Sequence, residues 1–324
     1  MELLIYLILF LLVLIVSSTT NKLLPFLPLP LVQILLGIVI GLFLPNTDFH
    51  LNTELFLALV IGPLLFRESE EADITAILKH WRIIVYLIFP VIFISTLSLG
   101  GLSHLLWLSL PLAACLAVGA ALGPTDLVAF ASLSERFSFP KRVSNILKGE
   151  GLLNDASGLV AFQVALTAWT TGAFSLGQAS SSLIFSILGG FLIGFLTAMI
   201  NRFLHSFLLS VRATDIASEL LLELSLPLVT FFLAEEVHVS GIIAVVVAGI
   251  LKASRFKKIT LLEAQVDTVT ETVWHTVNFM LNGSVFVILG MELEMIAEPI
   301  LTNPIYNPLL LLLSLIALTF VLFA

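Results

Sequence analysis

The chain has 324 residues, of which 59% are hydrophobic and only 11% charged, with a mean hydropathy of +1.13. A soluble domain keeps its apolar share near ~45 to 50%, so this composition excludes a soluble globular fold, a coiled coil, a disordered tail, a secreted disulfide module and a nucleic-acid binder. The formal charge of −8 matters only by where it sits relative to a bilayer.

Apolar runs between polar punctuation predict about eleven membrane helices, spans 1 to 11. They cover roughly 2 to 18, 26 to 44, 53 to 66, 83 to 101, 105 to 133, 144 to 169, 183 to 205, 216 to 234, 237 to 252, 271 to 292 and 307 to 324. The first lacks the basic lead and small-residue cleavage site of a signal peptide, so it is retained as a span. Spans 3 and 9 are short, which predicts tilt, a kink or extension by flanking polar residues. Cys115, the single cysteine, lies in an apolar run and has no intrachain partner for a disulfide.

Cytoplasmic loops attract Lys and Arg. All 14 basic residues follow odd-numbered spans: Lys22; Arg67, Lys79 and Arg82; Arg136, Lys141, Arg142 and Lys148; Arg202 and Arg212; Lys252, Arg255, Lys257 and Lys258. The alternate loops carry only acidic charge, such as Asp48, Glu235, Glu236 and Glu298. The expected topology is a multi-pass cell-membrane protein with its N-terminus outside. Trp81, Trp107, Trp169 and Trp274 fall at span ends and read as an interfacial belt. Residues 34 to 42 and 242 to 250 are alike and lie in spans of opposite direction, as an inverted repeat predicts. Two Ile/Val/Gly membrane helices would also look alike without one.

Carboxylates inside a span are costly and mark candidate sites. In span 5, Gly123 and Pro124 interrupt an apolar helix immediately before Thr125 and Asp126. Pro124 has no N–H and clashes with the preceding turn, so the stretch reads as a broken helix that frees carbonyls for an ion, or as a plain proline kink. In span 6, Gly151, Asp155 and Gly158 share one helical face, and Glu150 and Asn154 form a polar stripe beside it. Small residues allow close helix approach, which would bring Asp155 against the broken stretch. Carboxylate and carbonyl oxygens together suit a hard cation.

The remaining polar residues carry less. Glu219 and Glu223 start span 8 and read as a solvated helix entrance. Glu235, Glu236, Glu292 and Glu294 are expected to face outside water. Asn278 and Asn282 share a face of span 10. His50, His80, His104, His205, His238 and His275 lack metal spacing and read as structural.

The segments GPTDLVAF (123 to 130), GEGLLNDASGLVAF (149 to 162), LAEEVHVSGIIAVVVAGIL (233 to 251) and NFMLNGSVFVILGMEL (278 to 293) resemble the cation:proton antiporter-1 family of monovalent cation exchangers. The resemblance implies an all-α polytopic membrane protein of thirteen spans built as an inverted repeat. Spans 1 to 6 would form the first repeat and spans 8 to 11 part of the second, within one transport domain over 1 to 324. It implies that Asp155 alternately holds a proton and sodium, with Asp126, the carbonyl of Thr125 and water completing the shell. Asn154 and Glu150 would stabilise the neighbourhood. Asn before the Asp implies electroneutral exchange. The transported sodium and proton are the only small partners expected, beside the bilayer and a second copy in a homodimer, with no cofactor and no enzymatic activity.

Three departures stand out. Gly151 occupies a place often held by Ser, and the acidic position after Leu65-Phe66 corresponds to Arg67 or, one residue on, Glu68. The chain also stops within span 11 and has no basic residue after Lys258, so the crossing partner of span 5 and the Arg that pairs with the span 6 Glu are absent; a C-terminally truncated exchanger is expected. An intramembrane aspartyl protease using Asp126 and Asp155 is the alternative from another class. A channel is disfavoured because no repeated pore element or ring of charges appears.

Overall fold

The structure, a computed structural model, describes residues 2–24, 26–43, 52–72, 74–107, 110–124, 140–171, 176–211, 215–253 and 261–302. Their regular elements are helices: α1 (Glu2–Leu23), α2 (Leu29–Phe43), α3 (Thr53–Phe56), α4 (Gly62–Glu71), α5 (Ile74–Leu106), α6 (Leu112–Leu122), α7 (Lys141–Thr171), α8 (Leu176–Ser210), α9 (Ile216–Glu236), α10 (Gly241–Ala253) and α11 (Leu261–Thr302). Helices are what such a composition must form, since in lipid each backbone N–H and C=O has to be satisfied within its own segment. Phe185–Ser210, Ile216–Glu236 and Thr268–Leu293 are long and apolar enough to cross a membrane by length and composition, and six shorter apolar helices accompany them among the described residues.

The helices match spans 1 to 10 in order and differ at their ends. Span 4 is expected at 83 to 101, yet α5 begins at Ile74 and takes in Lys79, Trp81 and Arg82. Hydropathy marks the part of a helix suited to hydrocarbon, whereas the helix itself continues until its backbone is interrupted. Span 5 is shorter than expected at its start, because Pro111 opens α6 with φ −58° and ψ 144°, outside helical geometry. The short span 3 is irregular. Asn52 caps α3 by accepting from the amides of Glu54 and Leu55, and a π turn over Leu57–Ile61 links α3 to α4. There Gly62 N–H donates to the Leu57 carbonyl, five residues back, and the following Pro63 has no N–H to continue the ladder. Span 11 lies outside the described residues.

The described residues up to Leu64 and from Leu261 onward form one compact unit. In it α2 and α11 pack backbone to backbone. A Cβ added at Gly290 would overlap the Ile34 carbonyl and sit 2.9 Å from Gly37 Cα. Ser17 and Gln33 are fully buried here, as is Trp274 at 1% exposure. Trp274 is therefore covered by protein and does not belong to an interfacial belt, whereas Trp169 is 47% exposed. Close helix contact of this kind drives association in lipid, and overpacking it costs ~1 to 3 kcal/mol. Gly290→Val should thus lower the detergent melting temperature. Gly101→Ala, where an added Cβ meets nothing within 4 Å, should leave it unchanged or raise it; equal melting of the two variants would contradict this packing.

The residues from Leu65 to Ala253 form the second unit. Its α5 and α6 are pressed together at Gly119, whose missing side chain makes room for the Thr96 carbonyl and for Gly100 N, 2.7 Å from the Cβ position. Buried Thr230 of α9 donates to Thr197 of α8 at 3.0 Å. Asp215 caps α9 by accepting from Ser218 N–H at 2.9 Å. Hydrogen bonds from Ser218, its side chain first and its N–H second, hold the Asp215 carboxyl below the usual carboxylate range, so the stability they add is present above the ordinary Asp pKa and is lost as pH falls through the depressed value. At the other end of α9, His238 takes φ 57° while its N–H donates to the Glu235 carbonyl at 2.9 Å. This left-handed closing residue explains His238 as part of the turn. Glu235 and Glu236 beside it are exposed.

Candidate ion-transport site

The polar stripe predicted in span 6 lies in α7. Glu150 and Asn154, one turn apart, are buried at 7% and 0% exposure, and Asn154 Nδ2 donates to Glu150 Oε1 at 3.0 Å. A buried carboxyl group is costly unless hydrogen-bonded, and the i, i+4 spacing supplies a donor from the same helix.

One turn further on, α7 meets the end of α6. The α6 helix stops at Leu122, with Gly123 and Pro124 outside it. A Cβ at Gly158 would overlap Pro124 Cγ and lie 3.5 Å from the Ala120 carbonyl. Across α6, the Ser95 hydroxyl of α5 lies 2.8 Å from the Cβ position of Gly123. Gly123 and Pro124 are thus flanked by Ser95 on one side and Gly158 on the other, so span 6 meets Pro124 at one of its small residues.

Asp155 belongs to the α7 backbone between Asn154 and Gly158, with its side chain outside the described set; Thr125 and Asp126 lie outside the described residues. Of the predicted site residues, the structure therefore joins Glu150 to Asn154 and brings Pro124 to Gly158.

A second charged group escaped the sequence reading. Lys252 Nζ, at the end of α10, lies 2.8 Å from Glu223 Oε1 of α9 and 3.2 Å from Glu70 Oε1 of α4, with the Phe66 ring centroid 5.5 Å away. Arg67 reaches Glu70 at 3.0 Å and Glu71 at 2.7 Å. Glu219 lies 3.5 Å from His205 Nε2. The side chains of Glu219 and Glu223 are only 12% and 14% exposed, which corrects their reading as a solvated entrance. Arg67, read as the counterpart of an acidic position, is an ion-pair partner on α4. The 219/223 spacing on one face is a trace of it in the sequence, but it does not name Lys252 or Glu70 as partners.

A sequence profile described as "Sodium/hydrogen exchanger, transmembrane" matches residues 7–324. The "Sodium, potassium, lithium and rubidium/H(+) antiporter" of Bacillus subtilis (strain 168) is 36% identical over 308 residues, covering 95% of this chain and 46% of that protein. The "Uncharacterized Na(+)/H(+) exchanger YjcE" of Escherichia coli (strain K12) is 30% identical over 302 residues, covering 92% of this chain and 54% of that one. The chain thus spans about half the length of these relatives. The fold resembles that of the sodium proton antiporter MjNhaP1 from Methanocaldococcus jannaschii, with a TM-score of 0.66, 20% identity, and coverage of 90% of this chain and 70% of that one. These relatives are transporters rather than enzymes, and nothing in them favours the aspartyl protease alternative. The chain belongs to the sodium/hydrogen exchanger family of transmembrane proteins.

Proposed function

We propose that the protein exchanges a monovalent cation, sodium first among them, for protons across the cell membrane, with Asp155 as the carboxylate that holds cation and proton in turn. The observation that carries this reading is the buried Glu150–Asn154 pair directly before Asp155, on a helix that packs at Gly158 against the interrupted end of α6. Asp126 and the Thr125 carbonyl follow that interruption in sequence and would supply oxygen ligands, together with water.

Exchange follows from competition. A carboxylate holds a proton or a hard cation but not both, so binding of one releases the other. Alternating access of that one carboxylate to the two sides then couples the two gradients. Asn154 adds no second titrating group beside Asp155, which gives one charge in for one charge out. The basic residues after odd-numbered spans set the N-terminus outside, and the thirteen-span inverted repeat, a broken span 5 and a homodimer complete the proposal. Everted vesicles containing the full-length, thirteen-span protein should release protons from their lumen when sodium is added outside, and lithium and potassium added in turn rank the cations. Vesicles that leave the proton gradient undisturbed under every cation would refute the exchange reading.

A further inference from the structure

The ion-pair group around Lys252 lies outside the α6–α7 site, and its place in the chain gives it a use. The chain passes from the first compact unit to the second between Leu64 and Leu65, back between Ile259 and Thr260, and to the second again after Leu311. Glu70 lies five residues after Leu65, and Lys252 seven residues before Ile259. These two segments are joined at several points. A Cβ at Gly249 of α10 would lie 2.5 Å from the Phe66 carbonyl and 2.8 Å from Ser69 Cβ, so the backbones touch. Lys252 then reaches Glu70 and Glu223, with side-chain exposures of 9%, 16% and 14%, and its ammonium faces the Phe66 ring. Low exposure limits screening by salt.

We propose that Lys252 is a positioning residue for the exchange cycle. It binds together, within the second unit, two of the segments by which the chain joins the units, with Glu223 of α9 as the third anchor. The proposal rests on the exchange reading, and it separates rate from affinity. Lys252 belongs to a different group of side chains from Glu150 and Asn154, so losing it should slow the cycle and leave the cation's own constant in place.

The test compares wild type, Lys252→Met, Lys252→Arg and Asp155→Asn in everted vesicles, with protein amounts matched. Lys252→Met should lower the maximal exchange rate by about fivefold or more, because it removes the cation that Glu70 and Glu223 share at low exposure. The apparent sodium constant should stay within about twofold, and Lys252→Arg should recover at least about half the rate, since it keeps the charge and both partners. If Lys252→Met inserts poorly, Glu70→Gln, which leaves Lys252 its Glu223 partner, should still slow exchange by about twofold or more. A wild-type rate in either variant overturns the proposal, and so does a sodium constant that shifts in step with the rate. Hydrogen–deuterium exchange gives a readout independent of transport: protection should fall together at residues 65–71 and 246–252 in Lys252→Met and persist in Lys252→Arg. Protection unchanged in both segments overturns the anchor even if the vesicles show no exchange, while absent wild-type exchange by itself counts against the transport reading.

Discussion

Asp155→Asn is expected to reduce cation-driven proton movement to that of vesicles lacking the protein. Asparagine keeps the volume of the side chain and its place between Asn154 and Gly158, so α7 can still pack on Pro124. What it removes is the charge and the titratable proton, and with them both halves of the exchange. Asp155→Glu keeps the charge but moves it by about one methylene, so it should exchange slowly with an altered order among sodium, lithium and potassium, since ligand distance sets cation fit. Transport assays with matched protein amounts check both variants, and normal exchange by Asp155→Asn would remove Asp155 from the mechanism.

Gly158→Leu is the second change with a large expected effect, and it acts through shape alone. Even a Cβ at this position overlaps the Pro124 ring. The rest of a leucine would have to push α7 away from the end of α6, at an overpacking cost of ~1 to 3 kcal/mol. Exchange should be lost and the melting temperature in detergent lowered, with Gly158→Ala intermediate. Helical propensity favours Ala over Gly by ~1 kcal/mol, so a Gly158→Ala protein that is more stable and fully active would show that the close approach to Pro124 is dispensable. Gly101→Ala, in open space, is the matched control.

Much of this architecture is legible in the chain because lipid leaves few choices. Apolar runs must be helices, and ten of the eleven predicted spans correspond to described helices in the same order. Helix ends are less legible, as α5 shows: Lys79, Trp81 and Arg82 mark the end of the apolar run but do not interrupt the backbone. Trp274 was misread for a related reason. A buried helix face and a lipid-facing one are equally apolar, so hydropathy does not reveal which neighbour covers a tryptophan.

Within the site, the Glu150–Asn154 bond is visible in the sequence because its partners are one turn apart. The contact of Gly158 with Pro124 accords with the small residues of span 6 and the proline of span 5 taken together. The Lys252 group was not visible, since Glu70, Glu223 and Lys252 come from three helices far apart in the chain. Read singly, each looks like a charge at a solvated helix end. Only the packing of α4, α9 and α10 brings them together.

The central claim, that one carboxylate serves both ions, is tested most directly by the pH dependence of the apparent sodium constant in everted vesicles. If proton and sodium compete for Asp155, that constant rises about tenfold for each unit fall in pH on the acidic side of the site's pKa and levels off on the alkaline side. The maximal rate at saturating sodium should change far less over the same range. A sodium constant that stays flat while the maximal rate follows pH would mean separate sites for the two ions and would contradict the account.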